Sequence, residues 1–138
     1  MDSLSRIERS KQMSLIRCKD TKPEISIRQM VFALGHRYRL HVSDLPGKPD
    51  LVFSRLRKVI FVHGCFWHRH PRCPMARLPK SKLEFWLPKL SENRRRDQRV
   101  IRKLRSDGWK VLVVWECQLN DLGRVEQQVR RFLHNAKP

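Results

Sequence analysis

Six side chains that can bind a metal ion or transfer a proton are crowded into residues 45–73. They are Asp50, His63, Cys65, His68, His70 and Cys73. Carboxylate oxygens suit Mg²⁺, imidazole gains and loses a proton near neutral pH, and thiolate with imidazole is a common ligand set of structural zinc. The segment therefore offers the residue types of a hydrolytic centre and, beside them, those of a metal site that stabilises a fold.

The cysteines indicate zinc. Cys65 and Cys73 lie in a polar, proline-rich stretch, and Cys117 follows the last apolar run. Structural zinc takes four tetrahedral N/S ligands, often from two chain segments, so these thiols with His68 or His70 would attach a loop to a sheet. The spacing does not choose between the two histidines. The alternative is a set of buried free thiols in a reducing cytosol, where disulfides are rare.

Asp50 follows a proline and precedes an apolar run, so it stands where a strand begins. An aspartate after proline is commonly a turn residue, and this is the alternative interpretation. His63 and His68 follow the next apolar run, however, and two histidines beside a strand-borne acid favour catalysis. Cleavage of a phosphodiester needs a metal that polarises the phosphate and a base that generates hydroxide. The pattern predicts Asp50 as a metal ligand and the histidines as base and acid.

Three apolar segments predict a β-sheet that positions these side chains. The strands are expected over residues 50–54, 58–62 and 109–115. The first two are joined by a tight basic turn, and their unbroken apolar sequence suits a sheet that is buried on both faces. Residues at the ends of such strands project from one edge, where α/β folds tend to hold ligands. A further short strand is expected within residues 36–45.

Three helices complete the predicted α/β fold. They are expected over residues 21–35, 82–107 and 122–134. Thr21 suits the N-cap of the first helix and Glu24 its capping box, which is a purely structural explanation for this acid. Pro88 predicts a kink or break near the start of the second helix. Residues 63–81, before that helix, are expected to form a loop.

The charge of the chain points to a polyanionic partner. Lys and Arg number 31 against 13 Asp and Glu, which gives a net charge of +18 in 138 residues. Such an excess favours nucleic acid, through long-range attraction and counterion release. The rival is an anionic membrane surface, but no long basic helix with a clean apolar face stands out. With neither a signal core nor an apolar run that spans a bilayer, the chain is expected to be cytoplasmic, with no membrane partner.

One domain is expected over residues 21–138, preceded by a basic N-terminal arm over residues 1–20. The arm is polar and carries Arg9 and Lys11, with Met13 as an apolar residue among them. One interpretation is a solvated segment that lacks order in the free protein. The other is an arm that becomes ordered on nucleic acid, so that Met13 contacts bases.

A series of motifs runs through nearly the whole chain. In order, they are RSKQM at 9–13, Glu24, LPGKPDLVF at 45–53, VIFVHGCFWHRH at 59–70, EFW at 84–86, Arg96-Asp97 and GWKVLVVWEC at 108–117. Together they resemble the very short patch repair (Vsr) endonucleases, a family of bacterial enzymes that nick DNA at mismatches. Chance does not account for so many motifs in the same order.

The resemblance implies a restriction-endonuclease-like α/β fold, with a central mixed β-sheet flanked by helices and a structural zinc site. It implies Mg²⁺-dependent hydrolysis of the phosphodiester on the 5′ side of the thymine in a T:G mismatch. Such mismatches arise by deamination of 5-methylcytosine, which links the enzyme to a DNA cytosine-5 methyltransferase. The expected substrate is double-stranded DNA with the mismatch, bound by a monomer at the bacterial nucleoid.

By position in these motifs, the resemblance implies a magnesium site at Asp50, which bridges the catalytic metals, and at the main-chain carbonyl of Val62. Some family members have threonine in place of Val62, a change that a carbonyl ligand tolerates. Glu24 resembles an outer carboxylate that holds metal-bound water. The implied zinc ligands are Cys65, His70, Cys73 and Cys117.

Three aromatic residues, Phe66, Trp67 and Trp86, resemble the wedge that family members insert into the duplex beside the mismatch. Such a wedge unstacks base steps at a cost of a few kcal/mol, least where pairing is already poor. Without the resemblance, Trp86 would be assigned to the core side of its helix. The DNA contacts implied for the arm are Met13, entering from the other groove, with Arg9 and Lys11.

The remaining catalytic positions argue for an enzyme. By resemblance, His68 is the general base that activates water, and His63, paired with Asp97, steadies the phosphate. Two other functions share the basic charge and the aromatic residues: an inert zinc-stapled DNA-binding module, and a restriction-like nuclease with a different trigger. Asp50 disfavours the inert module, because an acid that faces phosphate repels DNA unless a cation lies between them. The second alternative is compatible with all of these residues.

Overall fold

The structure is a computed structural model that describes residues 21–40 and 42–134. The predicted arm over residues 1–20, with Arg9, Lys11 and Met13, lies outside the described residues, so the boundary between arm and domain stays a prediction. The described chain forms helix α1 (Lys22–Ala33), strands β1 (Leu51–Phe53) and β2 (Lys58–His63), helix α2 (Leu83–Ser106), strand β3 (Lys110–Trp115) and helix α3 (Leu122–Leu133). Short 3-10 helices over Pro74–Ala76 and Glu116–Asn120 lie in the connections.

Helix α1 begins where the sequence predicts. The side chain of Thr21 accepts a hydrogen bond from the backbone N–H of Glu24 at 3.4 Å, and a proline in the first turn removes no helical hydrogen bond. Ile27 and Val31, one turn apart, are fully buried, so one face of the helix packs against the sheet. After the helix, Gly35 adopts φ +91°, a left-handed conformation that glycine tolerates.

The three strands form one sheet in the order β1-β2-β3. β1 runs antiparallel to β2, with Leu51 opposite Ile60, and β2 runs parallel to β3, with His63 opposite Trp115. The predicted mixed sheet is therefore confirmed. Because β1 and β2 form a hairpin, the start of β1 meets the end of β2, and β3 ends beside them. We call this the His63 end of the sheet and the opposite one the Lys58 end.

Helices cover both faces of the sheet. On one face, α1 and α3 pack against the strands in a cluster whose fully buried members include Ile27, Ile60 and Val129. On the other face, Leu104 of α2 packs with Val59. Full burial of a large aliphatic side chain stabilises a fold by roughly 1.5–3 kcal/mol. Strands this short therefore depend on the helices of both layers.

The prediction of a short strand within residues 36–45 is wrong. In the described part of that segment, pairing is confined to a single bridge between Arg39 and Val52. β1 has only three residues, and turns follow over residues 43–47, so the edge offers room for one pairing. Tyr38 and Leu40 pack against the core instead.

Helix α2 runs unbroken from Leu83 to Ser106. Of the two alternatives predicted at Pro88, a kink or a break, the break is therefore excluded. Pro88 lies in the second turn, where a proline removes one hydrogen bond, to the carbonyl of Glu84, and leaves the later turns intact. In the described part of the chain, no helix combines the length and the apolar character needed to cross a membrane.

Candidate functional site

Asp50 lies at the His63 end of the sheet, immediately before β1. Its Oδ2 accepts a hydrogen bond from the backbone N–H of Val62 on β2 at 2.6 Å. The turn before it requires Gly47, which has φ +72° and whose Cβ, if present, would lie 2.4 Å from Cγ1 of Val100 on α2. The turn and the hairpin together hold the Asp50 carboxyl at this end of the sheet.

A second carboxyl, that of Glu24 on α1, lies beside Asp50. Glu24 is only 5% exposed and pairs with Arg28 at 3.2 Å. Burial raises the pKa of Asp50 to about 7, because the effects of desolvation and of the Glu24 carboxyl exceed that of the Val62 N–H. Two adjacent carboxyls, one buried and one partly buried, favour either a bound proton or a cation between them. Glu24 therefore has a place in the site in addition to its place at the helix start.

Two histidines and an aspartate form a second cluster at the same end. His63 is the last residue of β2 and is 6% exposed. The ring of His68, on the following loop, stacks on it with centroids 3.9 Å apart, and Nδ1 of His68 lies 2.6 Å from Oδ2 of Asp97 on α2. Burial, followed by the charge of His68, lowers the pKa of His63 to about 4, although Asp97 opposes the change. His63 is thus neutral at neutral pH.

The partner of Asp97 differs from the predicted one. The resemblance pairs Asp97 with His63, whereas in the structure its carboxylate is hydrogen bonded to His68. The reason lies in position, because His63 is buried at the end of a central strand while His68 lies on the loop that faces α2. An imidazole held through Nδ1 by a carboxylate keeps Nε2 available to accept a proton, so this pair can act as a base.

Cys65, His70, Cys73 and Cys117 form a third cluster, whose ligand atoms all lie within 4.8 Å of one another. Nδ1 of His70 lies 3.7 Å from Sγ of Cys65 and 3.4 Å from Sγ of Cys117. Tetrahedral zinc, with bonds of about 2.3 Å to sulfur and slightly shorter bonds to nitrogen, separates the two atoms by about 3.6 Å. The group therefore fits a metal ion of this kind. His70, and not His68, is the histidine that the fold brings to the thiols.

The Cys/His cluster joins the loop after β2 to the end of β3. The backbone N–H of Cys117 donates to Sγ of Cys65 at 3.4 Å, and the ring of His70 stacks on Trp115 with centroids 4.3 Å apart. Burial raises the pKa of the Cys65 thiol to about 12. A bound cation reverses this effect, because a coordinating thiol loses its proton outright.

The three predicted wedge residues lie together next to this loop. Ring centroids are 5.2 Å apart for Phe66 and Trp67, 5.5 Å for Phe66 and Trp86, and 5.8 Å for the two tryptophans. All three rings are only half-buried. Trp86 belongs to neither core cluster of the described chain, so it is not a residue of the helix core.

Two further residues of this aromatic group were not predicted. Phe85 is 58% exposed, and its ring lies 5.0 Å from that of Trp86. Nζ of Lys89 lies 5.6 Å from the Phe85 ring centroid and 5.9 Å from that of Trp67, within cation–π range. The spacing of Phe85 and Lys89, four positions apart on a predicted helix, was the available signal.

The sequence that builds this geometry has close relatives among known proteins. A profile of the family described as DNA mismatch endonuclease Vsr matches residues 1–73. The type II nicking enzyme V.XorIIP of Xanthomonas oryzae pv. oryzae is 49% identical over 132 residues, which cover 96% of each chain. This chain belongs to the Vsr DNA mismatch endonuclease family.

The Vsr relatives include the DNA mismatch endonuclease Vsr of Escherichia coli, 44% identical over 111 residues that cover 80% of this chain and 70% of that one. The type II nicking enzyme V.NmeAIP of Neisseria meningitidis is 39% identical over 136 residues, 99% of this chain and 96% of that one. The predicted family is confirmed, and the chain is a DNA endonuclease of the Vsr family.

The fold also matches a solved nuclease structure. The catalytic domain of homing endonuclease I-Bth0305I superposes with a TM-score of 0.57 at 20% identity, over 82% of this chain and 94% of that chain. At a sequence identity this low, the match shows a shared fold and nothing further. The predicted restriction-endonuclease-like α/β fold is confirmed.

Proposed function

We propose that this Vsr-family chain is a Mg²⁺-dependent endonuclease that nicks one strand of duplex DNA on the 5′ side of the thymine in a T:G mismatch. One observation supports it most: the paired carboxyls of Asp50 and Glu24 lie at the same end of the sheet as the His68–Asp97 pair. A cation site and a base at one sheet end are the two parts that phosphodiester hydrolysis requires.

The carboxyl pair fits a magnesium ion. Asp50 and the main-chain carbonyl of Val62 would hold it directly, and Glu24 would hold its water, because Mg²⁺ prefers oxygen ligands and keeps several waters. The raised pKa of Asp50 is what a carboxyl shows when no cation balances its charge. When bound, Mg²⁺ polarises the phosphate and stabilises the charge that develops on it.

The two histidines have different roles in the proposed reaction. His68, oriented by Asp97 through Nδ1, accepts the proton of the attacking water at Nε2. Asp97 fixes the ring and stabilises the imidazolium that forms. His63 is neutral because its pKa is lowered to about 4, so it steadies the phosphate as a hydrogen-bond donor and not as a cation. Its stacking on His68 also fixes the orientation of both rings.

The aromatic group supplies a route to mismatch preference. Phe66, Trp67 and Trp86 present half-exposed rings beside the His68 loop, where they would enter the base stack. Opening the stack costs least where two bases pair poorly, so a T:G pair is favoured over a paired site. The arm would add Met13 from the other groove and phosphate contacts from its basic residues, Arg9 and Lys11.

The Cys/His cluster would hold a structural zinc ion through Cys65, His70, Cys73 and Cys117. Its three thiols and one imidazole are a zinc ligand set, and four protein ligands leave no open position for chemistry. The mismatch that the enzyme repairs would come from deaminated 5-methylcytosine, so the enzyme would serve beside a DNA cytosine-5 methyltransferase. We propose that it acts as a monomer at the bacterial nucleoid, in the cytoplasm.

A nicking assay tests this proposal. Labelled duplexes with a T:G mismatch in several sequence contexts are incubated with Mg²⁺ beside their fully paired counterparts. One cut on the 5′ side of the mismatched thymine, absent from the paired duplex, is expected. The Asp50→Asn variant should lose nicking while mismatch affinity changes by less than about tenfold, or 1.4 kcal/mol.

The same assay separates the second candidate, a nuclease with a different trigger. The relatives described as type II nicking enzymes favour this candidate. Cutting of fully paired DNA would establish it and exclude the repair function. Binding without any cut in all contexts would instead indicate an inert DNA-binding module.

A further inference from the structure

Four arginines surround a depression of about 410 Å³ beside the Cys/His cluster. Arg69, Arg72 and Arg77 come from the loop between β2 and α2, and Arg94 comes from α2. No acidic residue lines the depression among the residues that the structure describes. The cations therefore face one another with no carboxylate to offset their charges.

The loop backbone is constrained at two of these positions. Arg69 and Arg72 both adopt φ +55°, a left-handed conformation that costs a non-glycine residue about 1 kcal/mol. Arg69 precedes His70 and Arg72 precedes Cys73, so both positions lie next to residues of the Cys/His cluster. The guanidinium of Arg69 donates to the carbonyl of Ala76 at 2.5 Å, which closes the loop around the depression. Strain of this kind persists where the surrounding structure enforces it.

Three of the four guanidinium groups are available to a ligand. Arg72, Arg77 and Arg94 are exposed, and within residues 21–40 and 42–134 none of them forms an ion pair or a side-chain hydrogen bond. Guanidinium is the side chain best suited to phosphate, because its planar donors form paired hydrogen bonds with two oxygens. Three such groups at one depression suit a polyanion.

The depression adjoins the proposed reaction centre. Arg69 directly follows His68 in the loop, and Arg94 lies one helical turn before Asp97 on α2. Arg69 and Arg94, which line the depression, therefore lie next to the hydrogen-bonded pair of His68 and Asp97. A DNA strand whose scissile phosphate lay at His68 would carry its neighbouring phosphates past this loop.

We infer that Arg72, Arg77 and Arg94 form a binding site for backbone phosphates of the DNA strand, adjacent to the scissile phosphate. Its position beside the scissile phosphate rests on the proposed function, which places the reaction at His68. Contacts to phosphate carry no sequence information. The site therefore contributes affinity and register on mismatched and paired duplexes alike.

The test is the salt dependence of DNA binding. The full chain with its metal site loaded is titrated against labelled mismatched and paired duplexes, without added Mg²⁺, at about 50–300 mM salt. Each phosphate contact contributes about 0.9 to the slope of log affinity against log salt. The triple variant Arg72→Ala, Arg77→Ala and Arg94→Ala should flatten that slope by about 2–3 on both duplexes, and weaken binding at least about tenfold at the lower salt concentrations.

A matched control removes the same charge from the Lys58 end of the sheet. The triple variant Arg37→Ala, Arg55→Ala and Arg131→Ala also replaces three exposed arginines. Arg131 lies at this end because the next residue, Phe132, accepts a hydrogen bond at its carbonyl from the Lys58 ammonium at 2.5 Å. This control should change the slope by less than about 1.

Equal slopes for the two triple variants would overturn the inference, because net charge alone would then explain the loss. An unchanged slope in the loop variant would overturn it as well. Metal content and thermal stability are measured in parallel; if the loop variant loses metal, the single change Arg94→Ala on α2 is used, with an expected flattening of about 0.9. The two proposals can fail independently. If the loop variant alone flattens the slope but the wild-type enzyme nicks no mismatched duplex, the phosphate site is upheld and the proposed mismatch activity is excluded.

Discussion

At Asp50, the folded structure disfavours the charged form of the side chain. Its carboxyl shares a buried site with Glu24, while Arg28 and the Val62 N–H oppose the rise of its pKa to about 7. In the absence of Mg²⁺, the folded protein therefore keeps a proton on Asp50 that the unfolded chain releases near its ordinary value of 3.8. Between these two pH values the folded state binds more protons, so its stability falls as pH rises.

We predict that Asp50→Asn removes this pH dependence. Without Mg²⁺, the variant should be more stable than the wild type at pH 8, on the order of 2–4 kcal/mol, and similar to it below about pH 4. His63, whose pKa is lowered to about 4, has the opposite pH dependence, but its contribution is common to both proteins and cancels in the difference. Urea unfolding from pH 4 to pH 8 measures the effect, with zinc supplied throughout.

Saturating Mg²⁺ provides the control for that measurement, because a cation takes the place of the proton. It should stabilise the wild type and not the variant. A wild-type stability that tracks that of Asp50→Asn at every pH would contradict the assigned burial of this carboxyl.

Individual residues of the site were largely predictable, but their pairings were not. Asp50, His63 and His68 follow from motifs and strand ends, since a hairpin and a parallel strand bring those ends together. The partner of Asp97 depends on the path of the loop after β2, and no periodicity encodes that path. The contact between Lys89 and Trp67 was not predictable for the same reason, because it joins helix α2 to this loop.

At the scale of elements, the turn before β1 sets the position of Asp50, the proposed metal ligand. Gly47 lies against Val100 of α2, so this turn contacts the longest described helix. The hairpin and the three helices were predictable from apolar patterns and capping signals. In residues 36–40 and 42–45, pairing is confined to one bridge and the expected strand is not formed. Alternation of side chains does not reveal that β1 is too short to pair along its length.

We predict that Gly47→Ala destabilises the fold by roughly 2–4 kcal/mol. The left-handed backbone disfavours alanine by about 1–2 kcal/mol, and the new methyl must displace Val100 or the helix that carries it, which typically costs about 1–3 kcal/mol. Gly35→Ala is the matched control, because Gly35 also has a positive φ, +91°, but nothing lies within 4 Å of its Cβ position. Its cost should be about 1 kcal/mol.

Chemical unfolding of both glycine variants measures the difference. Nicking by Gly47→Ala should also decline under conditions where the variant is fully folded, since a shift of the turn moves Asp50. Equal destabilisation by the two changes would show that α2 does not press on this turn.

For the whole molecule, the Cys/His cluster joins parts of the chain that are distant in sequence. We predict that Cys117→Ser lowers the metal content and the thermal stability together, by about 10 °C, because binding of a structural metal is linked to folding. Metal analysis and calorimetry measure both quantities. The control is Cys18→Ser, a change at the remaining cysteine of the chain, which lies outside the described residues and has no predicted role as a ligand. A variant that still binds one zinc ion per chain with unchanged affinity would exclude Cys117 as a ligand.

Cys65 and Cys117, which meet in the Cys/His cluster, are 52 positions apart in sequence, and α2 lies between them. Once a metal ion holds the cluster, the loop that carries Arg69, Arg72 and Arg77, helix α2 and strand β3 belong to one closed ring of chain. Such a ring should protect its amide hydrogens from exchange as a single cooperative unit, whereas α1 lies outside it and can open separately at lower cost. Opening of α1 would then move Glu24 while His68 and Asp97 stay in register, so the proposed cation site and the proposed base would depend on different parts of the fold.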